Sequence, residues 1–307
     1  MRTAFIETLI ELAHSDERIF LLTGDLGWTV VETFAARFPE RFLNVGVAEQ
    51  NMAGIATGLA QTGFVPFVYS IATFASMRSY EQFRNGPILH ELPVRLVGIG
   101  GGYAYGHAGP THYALEDLAI WRAQPGIAVI APADPAQTRE VMRATKNSPG
   151  PLYLRIGKGG NQEVSGLDGR FALGRPEMIR QGRQLLFLAS GSIVHEALSA
   201  ASLLDEKKIP AAVAVMAHLP FTASVELIDC IAGFEFIITV EEGYVVGGLG
   251  SLVAETIAQH LLSCHLSMQG VKNNFSCESS SEKYMRARQG LNAEHLAETA
   301  LKLLGAH

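Results

Sequence analysis

The sequence predicts an α/β protein built from two parallel-sheet domains, the second smaller than the first. Three observations carry that expectation. Short apolar runs alternate with helical segments along most of the 307 residues. Those runs are continuously apolar rather than alternating, as expected of parallel strands covered on both faces. A polar, glycine-rich stretch, GKGGNQEVSGLDGRFALGRPEM, breaks the alternation near residue 160.

Residues 3–14 read as an amphipathic helix, with Phe5, Ile6, Leu9, Ile10 and Leu12 on one side. RIFLLTGD is a buried strand ending in a turn, and VVETFAARFP is helical up to Pro39. RFLNVGV is the next strand, and EQNMAGIATGLAQTG the helix after it. FVPFVYS, PVRLVGIGGG, IAVIAPA and GPLYLRIG are further strands. SYEQFRNGPILHE, ALEDLAIWRAQP and DPAQTREVMRATKN are the helices between them. The first domain is placed at residues 1–160, a linker with a short hairpin at 161–182, and the second domain at 183–307. The pattern resumes at RQLLFLASGSIVHEALSAASLLDEKKIPAAVAVMAHLPF and closes with NAEHLAETALKLLG; KNNFSCESSSEKYMRARQG fits no element.

Hydrophobic residues make up 48% and charged residues 18%, enough apolar surface for a large core. A net charge of -6 and the absence of basic clusters argue against nucleic acid and anionic membranes as partners. Three cysteines, Cys230, Cys264 and Cys277, without a C-x-x-C pair, suit reduced thiols. The N-terminus carries acids inside its apolar run, unlike a signal peptide, and no run approaches ~20 uncharged apolar residues. The expectation is a soluble cytoplasmic protein.

In open α/β sheets, ligands sit beyond the carboxyl ends of the strands. Four segments fall there: TGDLGWT, VAEQN, YSIATFASMRSY and GGGYAYGHAGPTH. Glu49 is the sole carboxylate at an otherwise packed strand-to-helix corner. It could complement the helix dipole or serve a site. The glycines of GGGYAYGHAGPTH could admit a ligand to the backbone or leave the loop mobile. EEGYVVGGLGS could hold an anion or make a tight corner. There is no phosphate-binding G-x-x-x-x-G-K-[ST], and GIGGGY lacks the context of a dinucleotide fingerprint. Nor do the ten histidines show metal-ligand spacing.

Taken together, FLNVGVAEQNMAGIATGLA, TFASMRSYEQFRN, GHAGPTHYALEDLAIWRAQPGIAVIAPAD, GPLYLRIGK and TVEEGYVVGGLGSLVAE resemble transketolase, in its pyrimidine-binding and C-terminal domains. The likeness spans essentially the whole chain and is nearest to the separate C-terminal subunit of split transketolases. It implies thiamine diphosphate as cofactor and transfer of a two-carbon ketol unit from a ketose to an aldehyde. By resemblance, Glu49 binds the aminopyrimidine ring nitrogen, favouring the imino tautomer that takes the proton from the thiazolium carbon. Phe74 and Tyr80 wall the pyrimidine pocket, with Met77 where the family often has another aromatic. Leu26 packs near the cofactor and Asp25 lies at its interface. His112 faces the reacting oxygen of the sugar, and Arg155 grips a substrate phosphate. Thr29, Tyr105 and His107 complete the expected substrate contacts.

Two departures bear on the substrate. The family pattern G-E-D-G-x-T-H reads GHAGPTH here, so His107 and Ala108 replace an acidic pair. Around Gly100, where the family has a phosphate-binding histidine, the stretch is GIGGGYAYG. Lost hydrogen-bond partners change specificity strongly. The family's G-D-G motif for Mg²⁺ and diphosphate is also absent. The resemblance therefore implies a separate N-terminal-type subunit holding Mg²⁺, in an assembly of two chains of each kind. Alternative readings are the beta subunit of a 2-oxo acid decarboxylase and a non-catalytic partner subunit. The longer single chain of 1-deoxy-xylulose-5-phosphate synthase fits the length poorly.

Overall fold

The computed structural model describes residues 1–159, 162–272, 275 and 277–305. Its first half is a six-stranded, wholly parallel sheet, as the unbroken apolar runs predict. The strands are β1 (Ile19–Thr23), β2 (Phe42–Asn44), β3 (Val65–Ile71), β4 (Arg95–Ile99), β5 (Ala128–Ile130) and β6 (Leu152–Ile156), in the order β2-β1-β3-β4-β6-β5. Helices α1 (Arg2–Ser15), α2 (Glu32–Arg37), α3 (Glu49–Gln61), α4 (Tyr80–Phe83), α5 (Asp117–Arg122) and α6 (Pro135–Thr145) connect or cover them. Helix α1 buries Phe5, Ile6, Leu9 and Ile10 in a cluster with Leu21, Phe67 and Tyr69 of the sheet. Helix α6 starts at Pro135, where a missing N–H costs nothing. Its Asp134 cap accepts from Gln137 N (2.7 Å) and from Val164 N (2.8 Å), which fastens the inter-domain segment to the first half.

The second half carries β7 (Glu177–Arg180), β8 (Leu185–Ser190), β9 (Ala212–Val215), β10 (Phe236–Tyr244) and β11 (His265–Val271), in the order β11-β10-β8-β9-β7. Around it lie α7 (Val194–Asp205), α8 (Val225–Ala232), α9 (Leu249–His260), α10 (Glu282–Arg288) and α11 (Ala293–Leu303). Only β7 runs antiparallel, against β9. The expected hairpin inside residues 161–182 is thus a single strand. Its partner is more than thirty residues away, which local periodicity cannot reveal.

Two other expectations need correction. The predicted helix over SYEQFRNGPILHE is two pieces, α4 and a π-helical turn at Arg84–Ile88 that carries Pro87, and another π turn at Phe74–Arg78 precedes it. The unassigned C-terminal stretch contains α10, capped by Ser281, whose hydroxyl accepts from Tyr284 N. Asn273, Asn274 and Ser276 of that stretch lie outside the described residues.

The halves are joined by directional bonds. Ala131 N donates to Ala217 O (2.7 Å) and Leu219 N to Val129 O (2.8 Å). Arg122 donates to Gly247 O (2.7 Å) and pairs with Glu255 (2.6 Å). Among the described residues, no helix is long and apolar enough to cross a membrane.

Candidate active site

The strand order reverses at β1. The chain passes outward to β2, then returns to β3 on the other side of β1, and the loops leaving β1 and β3 diverge to open a crevice. Glu49, first residue of α3, projects into this region and is 3% exposed. Ser70, at the carboxyl end of β3, donates to Oε1 (3.1 Å), and Arg78 Nη1 donates to Oε2 (3.0 Å). The carboxylate does not cap its own helix. Gly24, just past β1, borders the same corner: a side-chain carbon there would stand in ordinary contact with Glu49, 3.5 Å from its Oε1.

The π turn after β3 displays two side chains together. Phe74 and Arg78 sit four residues apart on a widened turn, and the guanidinium lies 3.8 Å from the Phe74 ring centroid. Such turns recur at functional sites because they re-aim side chains. The edge of His112 meets the same ring at 5.2 Å between centroids. His112 Nδ1 shares a hydrogen bond with Thr111 Oγ1 (2.9 Å), and the His112 ring centroid lies 6.1 Å from that of Tyr105, over which Lys158 Nζ lies at 4.1 Å. Burial holds the Tyr105 phenol above its ordinary pKa. Glu49, Arg78, Phe74, His112, Tyr105 and Lys158 thus form an unbroken line from the switch point toward the seam.

Other expected residues fall elsewhere. Tyr80 turns away from Phe74: its ring packs 4.9 Å from Trp121 and its hydroxyl donates to Gln124 (3.3 Å). Met77 is 45% exposed, and its sulfur accepts a long bond from Thr73 (3.8 Å). Asp25 and Thr29 belong to the loop after β1, and both have left-handed backbone, with φ of 57° and 69°. Asn44 clamps Asp25 by receiving its N–H (2.9 Å) and donating to its carboxylate (3.1 Å). Thr29 donates its N–H to Glu32 (2.8 Å). Two non-glycine residues in this region within one loop store strain of a kind that gathers at functional sites. The carbonyl of Leu26 accepts from Thr23 Oγ1 (2.8 Å), and its side chain packs on the α1 cluster. His107 is exposed, with its carbonyl taken by Ser279 (2.9 Å).

Arg155 does not join the line. It is 8% exposed and pairs with Asp117 through Nε (3.3 Å). Its Nη2 donates to Ala114 O (2.9 Å) and, across the seam, to Glu242 O (2.7 Å). Asp117 is fully buried and accepts from Tyr153 (2.6 Å). Burial pushes its carboxyl above the ordinary range, against the pull of the Arg155 cation.

Sequence reasoning missed two contributors. Arg78 reads as a helix-surface cation and shows its role only once the π turn is known. The segment before α10 returns onto the His112 loop: Tyr113 donates to the carbonyls of Gly106 (3.1 Å) and Glu278, and Ser279 to those of Gly106 and His107. No local pattern signals that return.

Comparison with known proteins follows the same division. Residues 1–162 match the family model for the transketolase pyrimidine binding domain, and residues 174–296 that for the transketolase C-terminal domain. The chain belongs to the transketolase family. It is 36% identical over 98% of its length to a putative transketolase C-terminal section of Methanocaldococcus jannaschii, covering 95% of that protein. It is 34% identical over 99% of its length to an apulose-4-phosphate transketolase subunit of Phocaeicola vulgatus, covering 97% of it. Among solved structures it superimposes on a split-gene transketolase described as an inactive beta4 tetramer. The TM-score is 0.88 at 34% identity, over 98% of this chain and 97% of the other. The family depends on thiamine diphosphate, and this chain corresponds to the C-terminal part of a split transketolase.

Proposed function

We propose that this chain is the C-terminal subunit of a two-chain, thiamine-diphosphate-dependent enzyme that moves a two-carbon ketol unit from a ketose to an aldehyde. The observation that carries the reading is Glu49: a buried carboxylate at the switch point, beside an aromatic face and a glycine backbone. The residues fit the pyrimidine end of the cofactor. Glu49 offers a carboxylate to a ring nitrogen and Phe74 a face to stack on. When bound, the cofactor would supply the nucleophilic carbon and the electron sink.

The chain's own residues then have separable tasks. Glu49 holds a proton at the ring nitrogen and fixes the tautomer. Ser70, donating to Oε1, keeps that carboxylate in one orientation. His112, supported by Thr111 and edge-on to Phe74, has the task of exchanging a proton with a sugar oxygen. Tyr105 and Lys158 offer a hydroxyl and a cation farther along the line. Arg155 acts on substrate only indirectly, by holding the His112 loop through Ala114 O.

A second chain is part of the proposal. The sequence has no G-D-G. Mg²⁺ and the diphosphate would then belong to an N-terminal-type subunit, in an assembly of two chains of each kind. Trp28, Leu43, Val47 and Met77, all exposed and apolar, ring the carboxyl ends of β1, β2 and β3, as a covering partner would require. The inactivity of the beta-only tetramer of the split-gene relative agrees with this requirement. Ala108, and the glycines at 100–102, favour a ketose other than the usual pentose phosphates; a relative named for apulose 4-phosphate illustrates such variation. The test is turnover by the mixed subunits on a panel of ketoses, free and phosphorylated, set beside 2-oxo acids. Ketose consumption dependent on both chains supports the proposal, and turnover confined to 2-oxo acids replaces it with the decarboxylase reading.

A further inference from the structure

Arg78 stands where the cofactor's ring is proposed to go. Its guanidinium is flat, cationic and rich in in-plane N–H groups. It lies 3.8 Å from the Phe74 centroid and donates to Oε2 of Glu49 at 3.0 Å. A protonated aminopyrimidine is also flat, cationic and an in-plane N–H donor. It would need the same aromatic face and the same carboxylate oxygen. Both cannot hold these positions together.

We propose that Arg78 stands in for the aminopyrimidine ring in the chain without cofactor, and that loading requires its side chain to swing out. The inference rests on the reading of Glu49 as the pyrimidine-binding carboxylate and adds a competitor to it. The physical need is clear. An unpaired carboxylate that is 2% exposed is costly, and Ser70 alone offers one neutral donor. Arg78 supplies the missing charge. Its own side chain is 43% exposed, so it leaves toward water at little cost. The Phe74–Arg78 turn is π-helical, which keeps both groups on one side and the stem free of the core below, where Ser76 accepts from Trp121 (3.0 Å).

The experiment is calorimetric titration of thiamine diphosphate with Mg²⁺ into this chain mixed with its N-terminal-type subunit. Wild type, Arg78→Met and Arg78→Lys are compared. The ion pair, exposed on its Arg78 side alone, and the cation–π contact together set the advantage of removal at roughly 3- to 30-fold tighter binding for Arg78→Met. Arg78→Lys keeps the charge without the flat fork and falls between. A melt without cofactor shows Arg78→Met less stable than wild type, with a larger upward shift on loading. Equal or weaker cofactor binding by a folded Arg78→Met overturns the proposal while leaving the role of Glu49 intact. If neither wild type nor variant mixture binds, the reading of Glu49 falls and this inference with it.

Discussion

Replacing Arg155 by Met separates two roles for this residue that the sequence alone could not. As a phosphate-gripping group, its loss would raise KM for a phosphorylated substrate and leave folding alone. The structure instead ties it to Asp117, Ala114 and Glu242, across the joint between the two halves. Methionine fills much of the volume but leaves a fully buried Asp117 with Tyr153 as its remaining side-chain partner. Breaking one side of a buried ion pair costs about 3–5 kcal/mol. At about 2–4 °C per kcal/mol for domains of this class, the melting temperature falls by roughly 6–20 °C. The loss depends on pH with a definite sign. Burial raises the folded-state pKa of Asp117 above its unfolded value, so its ionisation disfavours the folded state as pH rises through that range. Without the Arg155 cation the shift grows, and the variant's deficit is largest near neutrality and shrinks toward acid, where Asp117 binds its proton. Thermal melts from pH 5 to 8, with Michaelis kinetics on the mixed enzyme, read both quantities. An unchanged melting temperature together with a raised KM would refute this reasoning and return Arg155 to the substrate.

Other predictions concern the site itself. Glu49→Gln keeps the shape and an acceptor for Ser70, so the melting temperature moves by only a few degrees while turnover falls about 10²–10⁴-fold; activity within threefold of wild type removes Glu49 from the mechanism. Phe74→Ala forfeits an aromatic face and weakens thiamine diphosphate binding about 2- to 13-fold by calorimetry; unchanged affinity means the ring stacks elsewhere. Trp28→Ala, at a side chain 69% exposed, weakens association with the N-terminal-type subunit by about 30-fold or more, on the scale of a central interface aromatic. Unaltered assembly in sedimentation would place the partner on another face.

Much of this architecture was legible because its causes are local. Continuous apolar runs identified the parallel strands, and Pro135 after Asp134 marked the start of α6. Glu49 stood out as a lone carboxylate in a packed corner. What escaped depends on distant partners. β7 exists by pairing with β9, and Ser279 matters through the carbonyls of the His112 loop. Tyr80 and Phe74 share a motif, yet the π turn sends one ring to Trp121 and leaves the other beside Arg78. A helical wheel with a period of 3.6 does not anticipate that split. The ion pair of Arg155, a phosphate-gripping residue by resemblance, escaped because the buried Asp117 lies 38 residues earlier in the sequence.

The measurement that bears most directly on the central claim is calorimetric binding of thiamine diphosphate and Mg²⁺. It is made on this chain alone, on the proposed N-terminal-type subunit alone, and on their mixture. The account predicts binding in the mixture that is abolished or strongly weakened by Glu49→Gln, with none of comparable strength to this chain alone. Tight binding by the single chain would contradict the divided site, and no binding in any combination would contradict the cofactor itself.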